Sequence, residues 1–169
     1  MISLIIPHVP KPELNSLLDG CLQTLSDYDE LILVVNDAIG YGKAFNWGFK
    51  YARGDFLLAV SNDTRLIKGS LKDLCDETAV TYSENAQWGC FFCLPRWIYQ
   101  EIGGFDERFV GAYWEDDDFL HRLNLAKIPV KRVPGVIVEH VGGATVKALG
   151  KESEYYERNQ QEFKKKWQT

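Results

Sequence analysis

Four consecutive acids, Glu115-Asp116-Asp117-Asp118, follow the glycine–aromatic stretch Gly111-Ala112-Tyr113-Trp114. Adjacent carboxylates repel one another, so such a run is costly unless the acids cap a helix, bind a cation or exchange protons with a substrate. Asp118 can cap a helix that starts near it. Capping does not explain all four acids, and a solvated acidic face is the plain alternative. Asp63 closes Ser61-Asn62-Asp63, directly after an apolar run. There it is a hard oxygen ligand suited to magnesium or manganese, or else the cap of the next turn. His140 ends another apolar run before Val141-Gly142-Gly143, a fair place for a metal or phosphate contact. His8 stands at the end of the first apolar run, where it can touch a ligand; His121 is given no role. Gly40-Tyr41-Gly42-Lys43-Ala44 opens a helix. Its backbone N–H groups and the Lys43 cation can accept phosphate, or it is simply a tight turn.

These groups act together only if regular elements bring them to one place. Ile2–Ile6 and Leu31–Val35 read as strands buried on both faces, and Asp55–Val60 as a third strand. Leu14, Leu18, Cys21, Leu22 and Leu25 recur at helical spacing, as do Ala44, Trp47, Gly48 and Tyr51, with Gly54 as a stop signal. This βαβαβ order calls for a parallel sheet with right-handed crossovers. Trp88–Leu94 reads as a strand and Pro95 as the start of a helix ended by Gly103-Gly104. A helix from near Asp118, strands over Val130–Val133 and Val136–Val141, and a last helix over 152–167 follow. The expected fold is a single α/β domain over 1–169, with a mostly parallel central sheet flanked by helices. In such sheets ligands bind beyond the carboxyl ends of the strands. That edge would gather Pro7, His8, Asn36, Asp37 and Ser61-Asn62-Asp63.

The chain has 169 residues, 46% of them apolar, and a formal charge of −5. Disorder is excluded as a general description, and the acidic balance argues against a dedicated nucleic-acid binder. No apolar run reaches the length of a membrane span, and no basic leader precedes Ile2, so a cytoplasmic location is expected. Cys90-Phe91-Phe92-Cys93 has CxxC spacing without a second pair. The four cysteines read as ordinary buried thiols, with Cys90 and Cys93 on opposite faces of a strand.

Taken in order, these residues resemble a family 2 glycosyltransferase of the GT-A, Rossmann-like fold, from Ile2 to about Trp167. Ser3-Leu4-Ile5-Ile6-Pro7 is similar to that family's opening strand. Gly40 to Gly48 resembles its glycine–alanine–asparagine helix start, and Ala52 to Leu58 with Ser61 to Leu66 its strand and DxD metal motif. Ile102 to Phe109 with Trp114 to Phe119 resembles its acceptor segment and Glu-Asp motif, and His140-Val141-Gly142-Gly143-Ala144 its late histidine.

The resemblance implies a nucleotide-sugar half over about 1–66, an acceptor and catalytic half over about 86–145, and a closing helix over about 152–167. It implies Mn2+ or Mg2+ on Asp63 and His140. It implies a nucleotide-sugar donor, UDP-sugar favoured, among Pro7, His8, Asp37, Gly42, Lys43, Asn62 and Asp63. Asp116 would deprotonate an acceptor hydroxyl, with Glu115 and Trp114 on the acceptor side, and one displacement would invert the anomeric centre. The acceptor would be a glycan or another hydroxyl-bearing molecule, a modified nucleic acid being less favoured. Three features depart from the pattern. Ser61 and Asn62 stand where the first metal acid is usual, Asn36-Asp37 reaches Gly40 without the usual intervening helix and strand, and the chain is short. A catalytically silent nucleotide-sugar or glycan-binding module is therefore the alternative. Nucleotidyltransfer is disfavoured, because no glycine-rich loop follows the first strand.

Overall fold

The computed structural model describes residues 1–168. Its main sheet has six strands in the order β2-β1-β3-β6-β5-β7. These are β1 (Ile2–His8), β2 (Glu30–Val35), β3 (Phe56–Val60), β5 (Val80–Ser83), β6 (Phe91–Pro95) and β7 (Val130–Val133). β1 pairs in parallel with β2 and β3, β5 pairs in parallel with β7, and β6 alone runs against its neighbours. A separate antiparallel pair joins β4 (Thr64–Lys68) to β8 (Ile137–His140). The helices are α1 (Pro12–Leu22), α2 (Tyr41–Tyr51), α3 (Arg96–Ile102), α4 (Glu115–Leu125), α5 (Ala144–Leu149) and α6 (Glu152–Trp167). The expected mainly parallel α/β sheet flanked by helices is what the chain forms. None of the described helices is long and apolar enough to cross a membrane.

Strand alternation divides the core into two layers. Leu4, Ile6, Leu58, Val60, Phe91 and Cys93 meet α1 through Leu18 and Cys21 on one face. Ile5, Leu57, Ala59, Phe92 and Leu94 meet Phe45 and Phe49 of α2, and Phe119 of α4, on the other. Each fully buried Phe contributes about 1.5–3 kcal/mol.

The topology positions the candidate site. His8 of β1 lies opposite Val35 of β2, and β3 runs the same way, so residues 7–8, 36 and 61–63 share one sheet edge. Because β6 is reversed, Phe91 pairs with Val60, and residues 88–90 arrive at that edge from the opposite direction. The β4–β8 pairing sets Thr64 opposite His140, which carries His140 to the end of β3.

Four expectations need correction. β2 is an edge strand, not one buried on both faces: Leu31, Leu33 and Val35, which share one face, are exposed, Val35 by 56%. α4 begins at Glu115, three residues before Asp118. Gly54 is not a left-handed stop; α2 is capped by Ala52, and a Cβ at Gly54 would fall 2.7 Å from the Ser3 nitrogen. Cys90 lies just outside β6, so alternation does not separate it from Cys93 and both join the same core layer. All four thiols are free.

α2 approaches β1 through Gly48, where a Cβ would fall 2.1 Å from the Ile5 Cγ2. Gly48→Ala therefore overpacks this contact, despite alanine's better helix propensity. It should destabilise the protein by about 1–3 kcal/mol, read as a lower urea midpoint with unchanged m-value.

Candidate active site

A pocket of about 310 Å³ opens at the shared sheet edge. Pro7, His8 and Val9 from the end of β1, Asn36, and Ser61-Asn62-Asp63 form one wall. Trp88-Gly89-Cys90 and Tyr41 form the floor, and Glu115 and Asp116 the acidic end. His140, Gly142 to Val146, Glu152 and Tyr155 complete the rim. The sheet thus brings Asp63, Glu115, Asp116 and His140 together from segments up to 77 residues apart.

Glu115 and Asp116 occupy the first turn of α4, entered through a strained backbone. Trp114, the N-cap residue, has φ 72°, and Tyr113 has φ 77°. Each left-handed non-glycine residue costs about 1–2 kcal/mol. The return is the aim of two carboxyls. Glu115 is 4% exposed, and its Oε2 is buried with no partner. Burial, and then the Asp116 and Asp117 charges, hold its carboxyl well above the ordinary value. Asp116 is raised less, to about 6, by burial and by Asp117, while the amide of Asp117 donates to its Oδ1 (3.0 Å). Trp88 Nε1 donates to the Asp116 carbonyl (2.9 Å), bracing the turn from the pocket floor. Both carboxyls are thus raised above the ordinary range, Glu115 by its burial first and Asp116 to about 6, a difference set by environment.

In the same pocket, His140 Nε2 lies 3.2 Å from Asp63 Oδ1. Burial alone would lower the His140 pKa, but Asp63 and Cys90 outweigh it and raise it to about 10. Burial would raise Asp63, and the His140 hydrogen bond and charge instead bring it below the usual value. Asp63 Oδ2 accepts from the Gly142 and Ala144 amides (3.2 and 3.4 Å). Among the described residues, no group of three or more His, Cys, Asp or Glu is placed to hold a metal. The pair nevertheless fits one: a carboxylate oxygen and an imidazole nitrogen, proton-bridged in the pocket wall, suit a borderline divalent ion whose remaining ligands are phosphate and water.

Other expected site residues stand elsewhere. Asp37 and Lys43 are exposed and do not line the pocket. Gly42 is buried beneath Phe105, where a Cβ would fall 2.8 Å from that side chain; it is a packing position, and Gly40 reaches the pocket instead. Trp114 turns away from the pocket onto Tyr156 and Phe163. His8 and Asn62 do line the wall, but Asn62 Nδ2 donates to His8 Nδ1 (3.0 Å) and His8 Nε2 faces Asn15 Oδ1 (2.9 Å). Asp118 is no cap: it is fully buried against Arg122 (2.9 Å) and Lys166 (2.6 Å). Sequence reasoning missed Tyr41, Trp88, Glu152 and Tyr155 as wall residues. Tyr41 lay within a recognised motif, and its hydroxyl donates to the Gly89 carbonyl (2.7 Å); Glu152 and Tyr155 carried no local signal.

A family model described as the N-terminal domain of galactosyltransferase matches residues 70–143, a span holding Glu115, Asp116 and His140. No curated protein sequence matches the chain. Solved structures do. The catalytic domain of Drosophila beta1,4galactosyltransferase 7, complexed with xylobiose, superposes with TM-score 0.64 at 14% identity, covering 83% of this chain and 70% of that one. S. aureus TarS gives TM-score 0.64 at 16% identity, over 84% of this chain and 60% of that one. The mannosyltransferase PcManGT from Pyrobaculum calidifontis, in complex with GDP-Man and Mn2+, gives 0.61 at 14% identity, over 88% and 59%. The fold is that of a GT-A glycosyltransferase. The matched span and this GT-A fold together support a glycosyltransferase, and the GT-A sheet edge is where the pocket lies.

The raised carboxyls have a measurable consequence for stability. At Asp116 the folded protein keeps a proton that the unfolded chain releases, so this group's contribution to stability is full below about pH 4 and is lost as pH rises through about 6. Asp116→Asn has no such titration. Its urea stability should gain on the parent between pH 4 and 7, by up to about 3 kcal/mol.

Proposed function

We propose that the pocket transfers a sugar from a nucleotide-sugar, with UDP-sugar the favoured donor, to an acceptor hydroxyl with inversion, and that Asp116 is the general base. What carries this reading is one pocket lined both by two raised carboxyls, Glu115 and Asp116, and by the paired Asp63 and His140.

Asp116 is ionised near neutrality and faces the cavity, so it can accept the acceptor's proton as the oxygen attacks. Glu115 would hydrogen-bond the acceptor, which gives its unpartnered Oε2 a role. Trp88 holds the Asp116 backbone still during this transfer. Tyr113 and Tyr155 offer aromatic and hydroxyl surface to a sugar ring at the rim. Asp63 and His140 would hold a divalent cation, which supplies charge neutralisation for the departing diphosphate. The structures similar to this chain hold manganese beside UDP-Gal or GDP-Man, which favours Mn2+. Among the residues lining the pocket there is no lysine or arginine to balance a diphosphate, which makes the cation the natural counter-charge. The family 2 reading rests on motif order, whereas the matched span follows a galactosyltransferase pattern.

The silent-module alternative would keep nucleotide binding without turnover. Calorimetry with UDP and Mn2+, followed by product detection with a panel of UDP-sugars and saccharide acceptors, separates the two. Asp116→Asn should leave the UDP–Mn2+ affinity within about twofold and lower turnover by at least about 100-fold. The parent's turnover should rise with pH through about 6 as Asp116 ionises. Retained turnover in the variant would remove Asp116 from the base role. Asp63→Ala should weaken UDP binding by at least about tenfold with Mn2+ present and change it little in EDTA; equal binding by variant and parent would place the cation elsewhere.

A further inference from the structure

The C-terminal helix α6 is polar along most of its length, and Asn159 is its one fully buried residue. A buried amide is costly unless its polar atoms are satisfied. Here all of them are directed at one loop. Asn159 Oδ1 accepts from the Val110 amide (3.1 Å), and its Nδ2 donates to the carbonyls of Val110 (2.9 Å), Ala112 (2.9 Å) and Tyr113 (3.0 Å). That loop is left-handed at Gly111, Tyr113 and Trp114, with φ 77°, 77° and 72°. It ends where Glu115 begins α4.

We propose that Asn159, which does not line the pocket, is a positioning residue: its buried amide holds Val110–Trp114 in the conformation that aims Glu115 and Asp116 into the pocket. An apolar side chain could fill the same space, but only an amide can both accept from Val110 and spread its two N–H donors over three carbonyls, one of them shared. Neighbouring contacts narrow the loop's freedom further. Gly111 lies so close to Tyr155 that a Cβ would fall 2.2 Å from its ring, and the Tyr113 hydroxyl donates to Glu152 (3.1 Å). Farther along α6, Lys166 and Trp167 bind Asp118 Oδ1 (2.6 and 3.0 Å), tying the other side of the same helical turn. The acids at the start of α4 are thus oriented by a helix that begins more than thirty residues later in the chain. The kinetic consequence rests on the transferase reading; the clamp itself does not.

Two variants test this in the full chain. Asn159→Ala removes all of these hydrogen bonds, and Asn159→Ser keeps a hydroxyl able to donate to one carbonyl, a milder loss that guards against a folding failure in the first. Amide exchange over residues 110–118 should speed by at least about tenfold, with the central strands unchanged. The Asp116 titration, followed by carboxyl-carbon NMR, should move down from about 6 as the loop loosens and water enters. Turnover should fall by at least about tenfold, with KM for the nucleotide-sugar within about twofold. Unchanged local exchange and an unchanged Asp116 titration would overturn the proposal. So would a uniform loss of protection across the whole chain in both variants, because Asn159 would then be general support. Absence of transfer by the parent protein would refute the transferase reading, and the exchange and titration measurements would still decide the clamp.

Discussion

Burying Glu115 at the start of α4 while leaving the adjacent Asp116 half-buried against the pocket is the constraint on which the site depends. A carboxylate loses hydration on burial, and a helix N-terminus returns only part of that through its free amides and dipole. The protein resolves the conflict unevenly. Glu115, 4% exposed with an unpartnered oxygen, is held well above the ordinary carboxyl value. Asp116, one residue on, keeps an amide donor from Asp117 and is raised only to about 6. Two adjacent acids are thereby raised to different degrees, with no lysine or arginine among the residues lining the pocket.

That asymmetry needs rigid surroundings, which come from three directions. The aromatic layer of Phe92, Phe105 and Phe119 fixes α4 on the sheet; Phe105 and Phe119 stand 5.0 Å apart. Trp88 reaches from the loop before β6 to the Asp116 carbonyl. α6 supplies Asn159, Lys166 and Trp167 from outside the sheet. The reversed strand β6 and the small β4–β8 pair complete the arrangement, because they return Trp88 and His140 to the edge where β1 and β3 end. His140 Nε2 and Asp63 Oδ1 then stand 3.2 Å apart in the lining of the pocket that also holds the acids.

Much of this was legible in linear form. The apolar runs of β1, β3 and β6 and the spacing of Leu14, Leu18 and Cys21 specify buried strands and a covering helix, because period alone encodes which face meets the core. The acids after Trp114, Asp63 after β3 and His140 after β8 stood out because polar groups at the ends of apolar elements mark a ligand-binding edge. Other readings failed where sequence position and side-chain direction part company. Asp37 and Lys43 lie next to strand and helix ends, yet both point to solvent. Gly42 sits in a motif that resembles a phosphate turn, and is required instead by contact with Phe105. Asp118 resembles a cap, and is buried against Arg122 and Lys166.

The sequence by itself determined the α/β class, the main strands and the identity of the acids and histidine that could do chemistry, because those follow from local periodicity and residue type. The tertiary structure alone decided which strand is an edge. Leu31–Val35 is as apolar as a central strand, and its exposure depends on strand order, which no local pattern contains. It alone decided the start of α4, since a left-handed Trp114 is disfavoured by its own backbone and is held by contacts from a distant helix. It alone separated Glu115 from Asp116, because a pKa is set by burial and neighbouring charge, and those exist only once the chain has closed around them.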